Sequence, residues 1–215
     1  MVRPRVLLAD DHQILVEGLR SLLEPEFDLL ETVEDGRELV ERALALMPDV
    51  VVADVSMPLL NGIEAARQIL PKAPKIRVVF LTMHADVAYA NEAFRAGASG
   101  YILKRSAAGE LVAAIREALN GGVYVTPSVA SAMMNDTFGR KGLNQSGPGV
   151  RLTSRQREVL QLVAEGRTIK EIAAILKLSP KTVEFHKYRV MEQLSIRSTA
   201  ELTQYAVKHG IVSPA

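Results

Sequence analysis

The sequence contains no cysteine, and none of its apolar runs approaches the length of a membrane-crossing helix. The first absence excludes disulfides, zinc–thiolate centres and thiol catalysis. The second excludes a transmembrane helix, which needs about 18–20 apolar residues in succession. Near the start, the short run Val6-Leu7-Leu8-Ala9 gives way to Asp10-Asp11, too little apolar chain for a signal peptide. Neither a G-x-x-x-x-G-K-[ST] segment nor a G-x-G-x-x-G loop occurs, so both common glycine-rich phosphate cradles are missing. Repeats and low-complexity tracts are absent as well. A soluble, cytoplasmic protein is the expectation.

What is present is enough apolar residue, 48% of 215, to build a core in each of two small domains. The formal net charge of +1 hides an asymmetry. Residues 150–215 hold 11 Lys+Arg against 6 Asp+Glu, a net of +5, and residues 1–149 hold 15 against 19, a net of −4. An acidic half and a basic half suit different partners, with nucleic acid the candidate for the basic one.

Over residues 1–125, short Val/Ile/Leu runs alternate with amphipathic stretches. The runs predict strands at 5–9, 29–33, 50–53, 77–81 and 100–103, and helices fall at 14–23, 37–47, 63–70, 87–95 and 108–120. Strands with so little alternation are buried on both faces, as in a parallel sheet covered by helices. The expectation is a doubly wound α/β domain with a five-stranded parallel sheet. From 126 to 149 the pattern dissolves into Pro127, Gly139, Gly142, Gly147, Pro148 and Gly149 among polar residues, which reads as a linker with at most a short helix over 128–134. Residues 150–215 carry only helical signals, at 154–164, 169–176, 180–194 and 199–207. Thr153 with Gln156, Thr168 with Glu171, and Ser198 with Glu201 have capping-box spacing. Ser179-Pro180 fits an N-cap followed by a first-turn proline.

Sites in open parallel sheets lie at the carboxyl ends of the strands. There the first strand delivers Asp10-Asp11, the third Asp54, the fourth Thr82, and the fifth leads to Lys104. Carboxylates converging on one crevice need a cation to ionise together. Carboxylate oxygens, retained waters and a phosphoryl group make a coordination set that suits Mg²⁺. A carboxylate beside that ion can attack phosphorus, with a lysine and a hydroxyl binding the transferred oxygens.

These residues stand in longer matching runs: Leu8-Ala9-Asp10-Asp11-His12, Asp54-Val55-Ser56-Met57-Pro58-Leu59-Leu60-Asn61-Gly62, Leu81-Thr82, and Gly97 through Lys104. Together they make residues 5–120 resemble the receiver domain of two-component response regulators. The resemblance implies that Asp54 is the phosphoacceptor and that Asp10, Asp11, Asp54 and the main-chain carbonyl of Ser56 hold Mg²⁺. It further implies that Thr82 and Lys104 bind the phosphoryl oxygens and that Tyr101 reorients on activation. Arg105 departs from the pattern, since many receivers place proline after the lysine with a cis bond; the geometry of the Lys104–Arg105 peptide stays open. His12 is read as a first-turn helix residue, and His84 is unassigned.

In the basic half, Lys177-Leu178-Ser179 joins the second and third helices with the short turn of a helix-turn-helix. Steps of 100° put Val183, Val190 and Leu194 on one face of the third helix. Lys181, Phe185, Tyr188, Arg189 and Glu192 point the other way. Two cations and two aromatics suit a helix lying in a DNA major groove. The runs 152–160, 165–173 and 178–186 resemble the LuxR-type DNA-binding domain of the NarL/FixJ class. That resemblance puts the recognition positions on Lys181, Glu184, Phe185 and Tyr188. With Thr182, Lys187 and Arg189 these form the candidate DNA-binding set. Relatives with lysines in place of Glu184 and Tyr188 leave the target sequence open, and His186 is read as a packed histidine.

The function expected is transcriptional regulation through phosphorylation of Asp54 by a sensor histidine kinase, with DNA as ligand and a homodimer on activation or on DNA. RNA polymerase is a further candidate partner, and no membrane partner and no turnover enzyme activity are expected. The alternative is a phosphorylation-independent DNA-binding regulator.

Overall fold

A computed structural model describes residues 2–139 and 152–212, and the chain divides into two compact units between residues 142 and 143. In the first unit β1 (Arg5–Ala9), β2 (Asp28–Val33), β3 (Val50–Asp54), β4 (Arg77–Thr82), β5 (Gly100–Leu103) and β6 (Tyr124–Val125) form one sheet of order β2-β1-β3-β4-β5-β6. Every neighbouring pair is parallel. The helices between them are α1 (Gln13–Leu23), α2 (Gly36–Leu46), α3 (Gly62–Ile69), α4 (Val87–Arg95) and α5 (Ala107–Leu119), followed after β6 by α6 (Pro127–Gly139).

The continuous apolar runs feed two cores, one on each face of the sheet. Val6, Leu8, Val52, Leu81 and Ile102 pack with α1 and α5, whereas Leu7, Val51, Ala53, Phe80 and Tyr101 pack with α2, α3 and α4. Strand order reverses between β1 and β3, and such a reversal opens a crevice at the carboxyl ends. Local chemistry holds the edge of that crevice. Asn61 caps α3 by accepting from Glu64 N, and Gly62 starts the helix so close to β3 that a Cβ would lie 2.1 Å from the carbonyl oxygen of Asp54. Glycine is the residue that permits this approach.

The sheet has six strands where five were expected. The sixth is only two residues long, too short for a periodicity, and it pairs with β5 through Tyr124 N donating to Ser99 O and Thr126 N donating to Tyr101 O. Beyond it, where a linker with a short helix over 128–134 was expected, α6 runs from Pro127 and packs on α4. Val129 is 1% exposed in the core that Tyr101 shares.

The second unit holds α7 (Ser154–Ala164), α8 (Ile169–Leu176), α9 (Pro180–Leu194) and α10 (Thr199–Lys208). Both Thr153 with Gln156 and Thr168 with Glu171 form reciprocal capping boxes; at Ser198 only half of the expected box forms, since Ser198 accepts from Glu201 N but the Glu201 carboxylate accepts from Arg197 N. Val159, Leu162, Ile172, Val183, Val190 and Ala206 are fully buried between the helices. Among the described residues, no helix is long and apolar enough to cross a membrane.

Candidate phosphoacceptor pocket and nucleic-acid interface

The strand ends bring the predicted acidic residues into one pocket. Asp10 and Asp54 are 1% and 3% exposed, and Lys104, reached directly from β5, places its Nζ 2.7 Å from Asp54 Oδ2 and 2.9 Å from Asp10 Oδ2. Ser56 N donates to Asp54 Oδ1 at 3.2 Å, turning the chain back over the carboxylate. Burial pushes the Asp54 carboxyl up to about 6, although the ammonium of Lys104 works to lower it. Burial works to depress Lys104 too, but Asp54 and Asp10 outweigh it and hold the ammonium above its ordinary range.

Asp11 is less enclosed, and His12 sits at the cap position before α1 rather than inside its first turn. The His12 side chain caps no helix amide; its Nδ1 lies 3.0 Å from both Asp10 Oδ1 and Asp11 Oδ1. Asp10, Asp11, His12 and Asp54 each offer a ligand atom within 4.8 Å of the others. Three carboxylates facing one ammonium leave excess negative charge on hard oxygen donors, which fits a hard divalent cation.

Thr82 is fully buried at the end of β4, and its Oγ1 accepts from His84 N at 3.0 Å. The carbonyl of His84 accepts from Tyr101 Oη at 3.0 Å, so the β4–α4 turn ties Thr82 to Tyr101. Burial holds the Tyr101 phenol far above its ordinary value and lowers the His84 imidazole. No cis peptide bond occurs among the described residues, so the Lys104–Arg105 bond is trans. Two further residues were left without a role by the sequence reading. His84 was visible two positions past a strand-end threonine. Thr126 donates to Glu110 Oε2 at 2.7 Å and accepts from Leu103 N at 3.2 Å, and no sequence pattern marks it.

In the second unit the turn between α8 and α9 closes through Lys177 in the left-handed region, and Ser179 Oγ accepts from Thr182 N. Thr182 is thereby engaged at the start of α9. Phe185 and Tyr188 are large side chains exposed at 58% and 66%, and Lys181 and Glu184 are exposed beside them. Lys187 is half-buried and donates to Thr199 Oγ1 at 2.9 Å, whereas Arg189 reaches Glu192 at 2.8 Å. His186 is half-buried, edge-on to Phe185.

Residues 6–116 match the family model of the response regulator receiver domain, and residues 150–206 match that of the bacterial regulatory proteins of the luxR family. The chain belongs to the two-component response regulators of the NarL/FixJ class, a receiver joined to a LuxR-type DNA-binding domain that regulates transcription. It is 38% identical to the transcriptional regulatory protein MctR of Rhizobium johnstonii, over 97% of this chain and 95% of that one. Identity to the oxygen regulatory protein NreC of Staphylococcus carnosus is 33%, over 97% and 99% of the two chains. Among solved structures, RcsB from Salmonella enterica serovar Typhimurium bound to a promoter with the phosphomimetic BeF₃⁻ aligns at a TM-score of 0.65 and 28% identity, over 96% of this chain and 99% of that one.

Proposed function

We propose that this regulator is switched by phosphorylation of Asp54 and that the switch controls sequence-specific DNA binding by α9. The observation that carries the reading is Lys104 lying against both Asp54 and Asp10 at the reversal point of the sheet. An Asp54 carboxylate oxygen attacks the phosphorus of a phosphohistidine on a partner sensor kinase, or of a small acyl phosphate. The P–N bond or the acyl P–O bond breaks, and its electron pair leaves on the imidazole or on the donor's carboxylate. Asp10, Asp11 and Asp54, with the main-chain carbonyl of Ser56, are the residues that would hold Mg²⁺. That ion, when bound, offsets the charge of the carboxylates and of the phosphoryl oxygens. Lys104 and Thr82 then hold two of those oxygens. A shift of Thr82 carries through His84 to Tyr101, whose hydroxyl already bonds to that turn.

The output is DNA binding by a homodimer in the cytoplasm, with Lys181, Thr182, Glu184, Phe185, Lys187, Tyr188 and Arg189 facing the duplex. The solved complex of RcsB with a promoter in the presence of BeF₃⁻ supports both the ligand and the trigger. Labelling with an acyl phosphate and Mg²⁺ tests the reading. Wild type takes one phosphoryl group and binds its site more tightly or dimerises, and Asp54→Asn does neither. Unchanged DNA affinity and oligomeric state after confirmed labelling of Asp54 would overturn phosphorylation as the trigger.

A further inference from the structure

The first helix begins differently from the three that follow it. Asp35, Asn61 and Asp86 cap α2, α3 and α4, each with a side-chain oxygen that accepts from a first-turn amide, as cap residues ordinarily do. At the same position before α1 stands His12, whose ring caps nothing. Although exposed, the ring turns back towards the pocket, with Nδ1 3.0 Å from Asp10 Oδ1 and 3.0 Å from Asp11 Oδ1. The backbone helps to hold it there, since His12 N donates to Asp10 Oδ1 at 3.0 Å. Asp10 thus divides its oxygens: Oδ2 meets Lys104 and Oδ1 meets His12.

A single ring nitrogen presents either one hydrogen or one lone pair. A hydrogen aimed well at one carboxylate is poorly aligned for the other. Equal distances to oxygens of two different residues are, by contrast, the spacing of donors around a shared ion. In an octahedral shell with bonds of about 2.1 Å, adjacent donors stand about 3.0 Å apart. His12 Nδ1 has that spacing from both carboxylates, and the ligand atoms of Asp10, Asp11, His12 and Asp54 all lie within 4.8 Å of one another.

Donor chemistry decides which ions gain from the ring. Mg²⁺ takes oxygen ligands by preference, whereas Co²⁺, Ni²⁺ and Zn²⁺ are well suited to imidazole nitrogen. We propose that His12 is a nitrogen ligand of the acidic pocket and widens its preference for first-row divalent transition ions over Mg²⁺, a role that rests on the pocket being a metal site. Asp10, Asp11 and Asp54 serve either class of ion through oxygen. His12 serves the transition ions alone, and so sets the selectivity of the pocket.

The experiment titrates the full chain by calorimetry with Co²⁺ and, separately, with Mg²⁺, at one fixed pH. It compares wild type, His12→Ala and His12→Gln. Alanine removes the ring, whereas glutamine keeps a polar side chain and offers oxygen in place of nitrogen. Any change in repulsion between Asp10 and Asp11 acts on both ions and cancels in the ratio of their affinities. The Co²⁺ to Mg²⁺ ratio is expected to fall about tenfold or more in both variants. Proton NMR of the Co²⁺-loaded wild type is expected to show a paramagnetically shifted imidazole N–H resonance that both variants lack. An unchanged ratio in His12→Ala overturns the proposal. So does a ratio that His12→Gln retains, which would assign the effect to polarity and not to nitrogen. Persistence of the shifted resonance in His12→Ala overturns it as well, by giving the ligand to another histidine. Failure of wild type to bind either ion would overturn the metal site itself, an outcome distinct from these.

Discussion

Lys104 Nζ lies 2.7 Å from Asp54 Oδ2, yet the Asp54 carboxyl is still pushed up to about 6 from its ordinary 3.8. Burial outweighs the ion pair, so in the metal-free protein the charged carboxylate works against folding. The penalty is fully present above about pH 6 and gone below about 3.8, because between those values the folded state binds more protons than the unfolded one. Asp54→Asn copies the neutral form. Without metal it is expected to be more stable than wild type by about 1–3 kcal/mol at pH 7.5, with the advantage fading as pH falls below 6. Denaturant melts across that range check it, and an advantage that persists at pH 4 would contradict it. Mg²⁺ affinity of the wild type should fall as pH drops through 6, since protons compete for the same oxygen.

Neutralising the other carboxylates separates their roles. Both contact His12 Nδ1, but Asp11 is the more exposed of the pair and only Asp10 is buried against Lys104. Asp11→Asn is expected to lower Mg²⁺ affinity about tenfold or more while leaving the fold intact. Asp10→Asn should lower it and also release Lys104 from one of its two partners. Calorimetric titration with Mg²⁺, and with fluoroberyllate in its presence, distinguishes them. Mg²⁺ affinity equal to wild type in both variants would remove these residues from the metal site.

Thr126 ties the end of β6 to the strand that carries Lys104. Leu103 N donates to its hydroxyl, which in turn donates to Glu110. Thr126→Val keeps the shape but strands a buried amide, at an expected cost of about 1–3 kcal/mol. Hydrogen exchange at the Leu103 amide should accelerate in Thr126→Val and stay slow in Thr126→Ser. Equal exchange in all three proteins would show that the hydroxyl carries no such load.

The same residue shows where sequence legibility ends. Strands β1, β3, β4 and β5 were readable because burial on both faces demands unbroken apolar runs, and Asp10, Asp54, Thr82 and Lys104 were readable because each sits at the end of one. Nothing local announces β6. Tyr124 and Val125 become a strand only because the β5 edge is open beside them, and Thr126 matters only through Leu103 and Glu110. His84 was legible as a position and not as a partner, since its link to Ser56 spans 28 residues. The capping signals of α7, α8 and α10 were plain because a cap is complete within four residues.

On α9, side chains divide by what each can reach. Arg189 pairs with Glu192 and Lys187 donates to Thr199, contacts that a DNA phosphate would share or displace. Phosphate contacts carry affinity without sequence information. Arg189→Ala is therefore expected to weaken binding similarly on all sequences and to lower the salt slope by about one. Phe185 and Tyr188 stand far out of the surface, with Glu184 beside them. Phe185 suits a thymine methyl, and the Glu184 carboxylate suits the amino group of cytosine. Phe185→Ala or Glu184→Ala should cost about 1–3 kcal/mol on the true site and much less on random DNA. Lys187 differs from Arg189 in one respect, because it also anchors α9 to the start of α10. Lys187→Ala should thus lose affinity through helix placement as well as through charge, and it should disturb selectivity slightly where Arg189→Ala does not. Binding-site selection with each single variant decides the matter. If Phe185→Ala and Glu184→Ala both select the wild-type sequence with undiminished preference, the exposed face of α9 does not read bases.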